Sequence, residues 1–174
     1  MQFDPIEEDI KKILGEVADE GKEEAWSTTE WTKRIKIRFC ELGKKHRFHV
    51  YASGCNNAAG GEWLYDVTWL KYDKDDYLRT VPLVMECEWS LNKVEIDHDF
   101  QKLLLARSQH RVMIFYQKTE DTVLEKIKNF KKQIKKYRGT CSGDRYFFAG
   151  YSDNTYKFYY SFFSPVGGSF QDRS

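Results

Sequence analysis

No run of about 18 apolar residues occurs in the chain, so no membrane-spanning helix is expected. The N-terminal stretch MQFDPIEEDI is acidic and lacks an apolar segment, so no secretory signal is expected either. Cysteine is scarce. Cys40, Cys55, Cys87 and Cys141 lie 15, 32 and 54 residues apart, which leaves no CxxC pair and argues against a cysteine zinc site. Each reads as a lone thiol, as in a reducing compartment, and a cytoplasmic location is the expectation. The four histidines show no HExxH spacing. Only 3 residues are proline while 16% are aromatic, which excludes a disordered chain. The formal net charge of +1 argues neither for nor against a polyanionic partner.

What is present suffices for one domain. The 174 residues, 41% of them hydrophobic, can bury roughly 70% of the surface of the unfolded chain. The near-zero net charge hides segregation. Residues 1–30 carry a net −7, 31–50 a net +6, 51–100 a net −6 and 101–174 a net +8. An acidic block between two basic ones suits carboxylates gathered around a metal, with basic arms around a polyanion; solvated helix faces would give the same segregation.

Local pattern predicts ten elements. Pro5 followed by IEEDIKKILGEVADE has apolar residues at helical spacing and a plausible stop at Gly21. Ser27 and Glu30 have capping-box spacing and open a second helix, whose stripe is Trp31, Ile35, Phe39 and Leu42. Residues 46–52, 62–69 and 81–89 read as strands, the last with Pro82 near its start. Residues 97–107 read as a helix started by Asp97 or Asp99, and 111–116 as a buried strand. A long basic helix follows over 121–138, then two aromatic strands over 143–151 and 156–163, and a loose tail from Gly167. The order α-α-β-β-β-α-β-α-β-β implies a central mixed β-sheet flanked by helices, in the α/β (α+β mixed) class. The expected organisation is one domain: N-terminal helices over 1–45, a core over about 46–116, and a basic helix with an aromatic hairpin over 117–174.

Three carboxylates stand among apolar strand residues. Asp66 lies in Leu64-Tyr65-Asp66-Val67, and Glu86 and Glu88 lie in Val84-Met85-Glu86-Cys87-Glu88-Trp89. The two-residue period of a strand puts Glu86 and Glu88 on one face and Met85, Cys87 and Trp89 on the other. If the strands are neighbours, Asp66 joins the acidic face. Carboxylates this close repel and raise one another's pKa, and a hard cation such as Mg2+ removes the repulsion.

A strand Asp, an acid-x-acid strand 20 residues on, then a helix crossing to another strand, resembles the PD-(D/E)XK (restriction-endonuclease-like) nuclease superfamily. The resemblance covers roughly residues 28–116. The chain departs from the motif in two places. Val81-Pro82 precedes the second strand rather than Asp66, and Glu88 stands where the usual motif has Lys. In some members the lysine has moved to the next helix, where Lys102 is the match, three residues from Asp99. The resemblance implies a metal-dependent endonuclease of DNA. Asp66, Glu86 and the Cys87 backbone carbonyl would hold Mg2+ (or Mn2+), and Glu88 or Lys102 would handle the attacking water. It also implies a homodimer. Glu62, Glu30, Glu41 and His98 are weaker candidates for the same site.

Basic residues would have to hold the nucleic acid. Lys128, Lys131, Lys132, Lys135 and Lys136 crowd one helix whose apolar stripe is Val123, Ile127, Phe130, Ile134 and Tyr137, so the lysines face outward. Two other readings stand beside the nuclease. One is a catalytically inactive nucleic-acid or protein binding module with the same fold. The other is a structural or inhibitor protein whose aromatic C-terminal strands form an interface.

Overall fold

A computed structural model describes residues 3–56 and 58–165. It contains α1 (Pro5–Glu24), α2 (Thr28–Lys45), β1 (His49–Ala52), β2 (Val67–Tyr72), β3 (Leu78–Glu88), α3 (Lys93–Leu105), β4 (His110–Gln117), α4 (Glu120–Lys136), β5 (Arg145–Ser152) and β6 (Lys157–Phe163). The order is the expected one, and the fold is a mixed sheet flanked by four helices. The six strands lie in sequence order. β1, β2 and β3 form an antiparallel meander. α3 and α4 are crossovers that make β3, β4 and β5 parallel, and β6 returns antiparallel at the edge. No helix among the described residues is long and apolar enough to cross a membrane.

The sheet is covered on both sides. On one face α1 and α2 bury Ile10, Leu14, Ile35 and Phe39 against Met85, Cys87, Val112, Ile114 and Phe147. On the other, α3 and α4 bury Phe100, Leu103, Ile127 and Phe130 against Val84, Met113, Phe115 and Phe148. β4 and β5 are buried on both faces, which is why their sequences are continuous apolar runs rather than alternating ones. Phe100 and Phe130 join the two crossover helices with ring centroids 4.1 Å apart. Burying each such ring contributes about 1.5–3 kcal/mol.

Several boundaries differ from expectation, among them the end of α1 and the starts of β2 and α3. α1 runs past Gly21 to Glu24 and ends on Ala25, which takes the left-handed conformation at φ 50°. Gly21 is instead a packing residue: a Cβ there would lie 2.4 Å from Cζ2 of Trp31. β2 begins at Val67, not at residue 62. Leu64 has φ 67°, which breaks the extended run, and Trp63 and Tyr65 bridge each other across the bend. α3 begins at Lys93, because the side chain of Asn92 accepts the Val94 N–H, so Asp97 and Asp99 sit within the helix rather than at its start. The tail from Gly167 lies outside the described residues.

The N-terminus is pinned to the far sheet strands. Asp4 caps α1 with a capping box to Glu7. Asp4 Oδ2 also lies 2.5 Å from His110 Nε2 at the start of β4. Arg145 at the start of β5 donates to both Glu7 oxygens, at 2.8 and 2.6 Å, and Glu7 is fully buried.

Candidate functional site

The β2–β3 pairing ends at Val67 and Met85, and Asp66 sits at a bend one residue before β2. Asp66 is therefore not inside a strand, as expected, but immediately before one. Its Oδ2 accepts the Cys87 backbone N–H at 2.9 Å. In an extended strand a residue's N–H and C=O leave on the same side, so the Cys87 carbonyl also faces the Asp66 side. Asp66 lies near enough to Glu86 to act on its pKa, while its own carboxylate is tied to α2 through Lys36. Glu86 is 2% exposed, and Glu88 is half-buried. Met85, Cys87 and Trp89 occupy the opposite core, as the two-residue period requires. The Cys87 thiol is held well above its ordinary pKa by complete burial, so only its backbone is available to a hard cation.

Two lysines reach this acidic end of the sheet. Lys102, on α3, places Nζ 2.5 Å from Glu86 Oε1 and 3.3 Å from Asp99 Oδ1. Glu86 Oε1 is buried, and the Lys102 ammonium is its ion-pair partner. Lys36, on α2, places Nζ 2.8 Å from Asp66 Oδ1, 2.6 Å from Glu62 Oε1 and 3.3 Å from Ser53 Oγ. Ser53 also donates to Glu62 Oε1 at 2.6 Å. In the sequence, Lys36 counts only within the net +6 of residues 31–50 and is not assigned to this site. Its signal was spacing: Lys36 lies three and four residues before Phe39 and Cys40, on the face of α2 that is buried.

The electrostatics are uneven. Burial pushes Glu86 up to about 8, with Asp66 and Asp99 adding to the rise against the pull of Lys102. Burial also raises Glu88, with Asp99, Glu95 and Asp66 adding to it, while its bond from the Ser90 N–H opposes. Burial works against the charge on Lys102, but its pairing with Glu86 and Asp99 prevails and raises it. The pair resolves differently at its two ends because Glu86 is enclosed and Lys102 is 44% exposed. Lys36 is likewise raised, its bonds to Asp66 and Glu62 outweighing burial. Glu62 is lowered, the bonds from Lys36 and Ser53 outweighing its burial. Tyr65 is raised by burial and by Glu86.

The weaker candidates lie elsewhere. Glu30 is paired with Arg34 at 2.7 Å and Glu41 with Arg38 at 3.7 Å, and His98 is exposed. On α4, Lys128, Lys132, Lys135 and Lys136 are exposed as expected. Lys131 is half-buried and donates to Ser161 Oγ at 2.7 Å. Its pKa is lowered by burial and by Lys135. Lys126 is tied to Asp97 of α3 at 2.8 Å.

Among the described residues only Asp4, Glu7 and His110 bring three carboxylate or imidazole ligand atoms within 4.8 Å of one another. Arg145 already supplies positive charge to Glu7 and Asp4, and Asp4 is engaged as the cap of α1. No family model, no curated protein and no solved structure matches the chain.

Proposed function

We propose that this chain is a Mg2+-dependent nuclease that hydrolyses phosphodiester bonds in DNA, built as the PD-(D/E)XK superfamily that its acidic strand resembles. One observation carries the reading. Asp66, just before β2, accepts the backbone N–H of Cys87, the residue next to Glu86 on β3, and a lysine is brought to each acid. The element order supports it, because the meander bearing the acids is followed by α3 and then a parallel strand.

The donors suit a hard cation. Asp66, Glu86, Glu88, Glu62 and Asp99 set five carboxylates against the ammoniums of Lys36 and Lys102. Asp66, Glu86 and Glu88 do not converge as a tight three-ligand cage. That suits Mg2+, which takes one or two protein carboxylates and completes its shell with water and phosphate. Asp66 and Glu86 would hold the ion, with the Cys87 carbonyl beside them; Mn2+ fits the same oxygens. When bound, Mg2+ supplies a water of lowered pKa and neutralises charge on the scissile phosphate. Glu86 must give up its proton for the ion to bind, so binding releases a proton. Glu88, raised by burial, accepts a proton from the attacking water. Lys102 keeps its proton and offers positive charge to the phosphate oxygens. Lys36 fixes the orientation of Asp66.

The test is cleavage of supercoiled plasmid with Mg2+. The full chain should cut it, and Glu86→Ala should lose about 100-fold or more in rate. Equal cutting by the variant sinks the assignment. DNA binding with no metal-dependent cutting by the unaltered chain would replace it with the inactive binding module.

A further inference from the structure

α2 and the segment that follows β1 meet at two places, one helical turn apart. At the first, Lys36 Nζ lies 3.3 Å from Ser53 Oγ and 2.6 Å from Glu62 Oε1. At the second, one turn on along the same face of α2, Cys40 meets Cys55, two residues after Ser53. The chain turns at Gly54, φ 71°, and Cys55 then packs against the core cluster that contains Cys40. The segment runs on along the outer edge of β1, where Ala58 donates to the Cys55 carbonyl at 3.0 Å and Ala59 to the Val50 carbonyl at 2.7 Å. Helix and strand are closely seated here: a Cβ on Gly43, three residues past Cys40, would lie 2.6 Å from Cγ2 of Val50.

The two thiols are unequal. Cys40 is 1% exposed, whereas Cys55 is half-buried. Burial, and a hydrogen bond shared with the Cys55 thiol, push the Cys40 thiol well above its ordinary pKa. Cys40 therefore keeps its proton, and Cys55 is the thiol that a reagent in solution meets first. The other two cysteines are placed differently. Cys87 accepts the Trp89 indole N–H at 3.2 Å inside the core, and Cys141 is exposed beyond α4 with its Sγ 3.5 Å from the Gly139 carbonyl. A reachable thiol backed by a shielded one is the arrangement of an attacking and a resolving cysteine. Cys40 and Cys55 are 15 residues apart, so a bond between them closes a short loop joining α2 to the turn after β1.

We propose that Cys40 and Cys55 are a thiol pair that a small-molecule disulfide converts into an internal disulfide, fastening the segment after β1 to α2. Cys55, as its thiolate, attacks one sulfur of the reagent, forming a mixed disulfide and releasing one thiolate. Cys40 then gives up its proton and its sulfur attacks the Cys55 sulfur. The mixed S–S bond breaks and a second thiolate leaves. Two protein thiols are oxidised, one reagent disulfide is reduced, and the two protons lost by the protein go to the two released thiolates. The new bond lies one helical turn from Lys36, whose partners Ser53 and Glu62 belong to the fastened segment. Oxidation therefore locks Lys36 and these partners together, while the reduced chain holds them by hydrogen bonds alone. Closure of the pair is read directly on the sulfurs, so it stands or falls apart from plasmid cleavage.

The experiment treats the full folded chain with oxidised glutathione and reads a non-reduced digest by mass spectrometry. The Cys40 and Cys55 peptides should appear joined, with two hydrogen atoms lost and no glutathione retained, and dithiothreitol should separate them. In Cys55→Ser the link should disappear while the exposed Cys141 still takes up glutathione. In Cys40→Ser glutathione should stay on Cys55; if that variant fails to fold, Cys55→Ser decides. Hydrogen exchange at the Ala58 and Ala59 amides should be at least about tenfold slower in the oxidised chain than in the reduced one. A glutathione adduct that persists on Cys55 of the unaltered chain overturns the proposal, as does no reaction at either thiol. So does a link that forms only in urea, or exchange at Ala58 and Ala59 that oxidation leaves unchanged.

Discussion

A glutamate in the middle of a sheet strand costs folding free energy unless something holds its charge. Glu86 shows the cost directly. Its carboxyl titrates near 4.5 when exposed and is pushed up to about 8 in the fold, burial outweighing Lys102. Between those two pH values the folded chain keeps a proton that the unfolded chain has released. Stability without metal therefore falls as pH rises through that window and levels off above about 8. Glu86→Gln removes the titrating group at nearly constant shape. In EDTA the variant should match the unaltered chain near pH 4 and exceed it by a few kcal/mol, on the order of what such a shift implies, near pH 9. Urea unfolding at both pH values checks this; parallel profiles for the two proteins would contradict it. A residue that weakens the fold at the pH where it would serve a cation is what a functional site leads one to expect.

Elements were legible where one local signal dominated. The stripes of α2 and α4, the aromatic runs of β5 and β6, and the face assignment of Glu86 and Glu88 all follow from period alone. The misses share a physical cause, which is tertiary contact overriding local sequence. Gly21 looks like a helix stop, yet it sits inside α1 because Trp31 needs the space. The alternation of residues 62–66 looks like a strand, yet Leu64 turns the backbone and leaves Asp66 at the mouth of β2. Lys36 went unassigned because charge was counted by segment rather than by helix face. The Gly21 account yields its own test. Gly21→Ala gains about 1 kcal/mol of helix propensity. It also drives a Cβ into an indole that is itself packed against Trp26, Trp89 and Tyr151. Overpacking costs typically 1–3 kcal/mol, so the variant should be less stable by roughly 1–2 kcal/mol in thermal or urea unfolding. A stabilised variant would show that Trp31 yields freely and that the glycine has no packing role.

Across the whole molecule, the parallel strands β3, β4 and β5 form the centre of the sheet, with the acids toward the C-terminal end of β3. The basic face of α4 lies on the same side of the sheet as α3 and its Lys102. Should DNA run along that face, Lys128, Lys132, Lys135 and Lys136 contribute through counterion release. Changing all four to Gln should reduce the slope of log affinity against log salt by about 3 to 4. An unchanged slope would remove α4 from the interface. The claim beneath these readings is that Asp66, just before β2, and Glu86, on β3, grip a divalent ion. Calorimetric titration of Mn2+ and of Mg2+ into the full chain near pH 8 tests it most directly. The account predicts saturable heat that varies with the ionisation heat of the buffer, because Glu86 releases a proton, and that disappears in Glu86→Gln. No heat from the unaltered chain would contradict it, and undiminished heat in the variant would place the ion elsewhere.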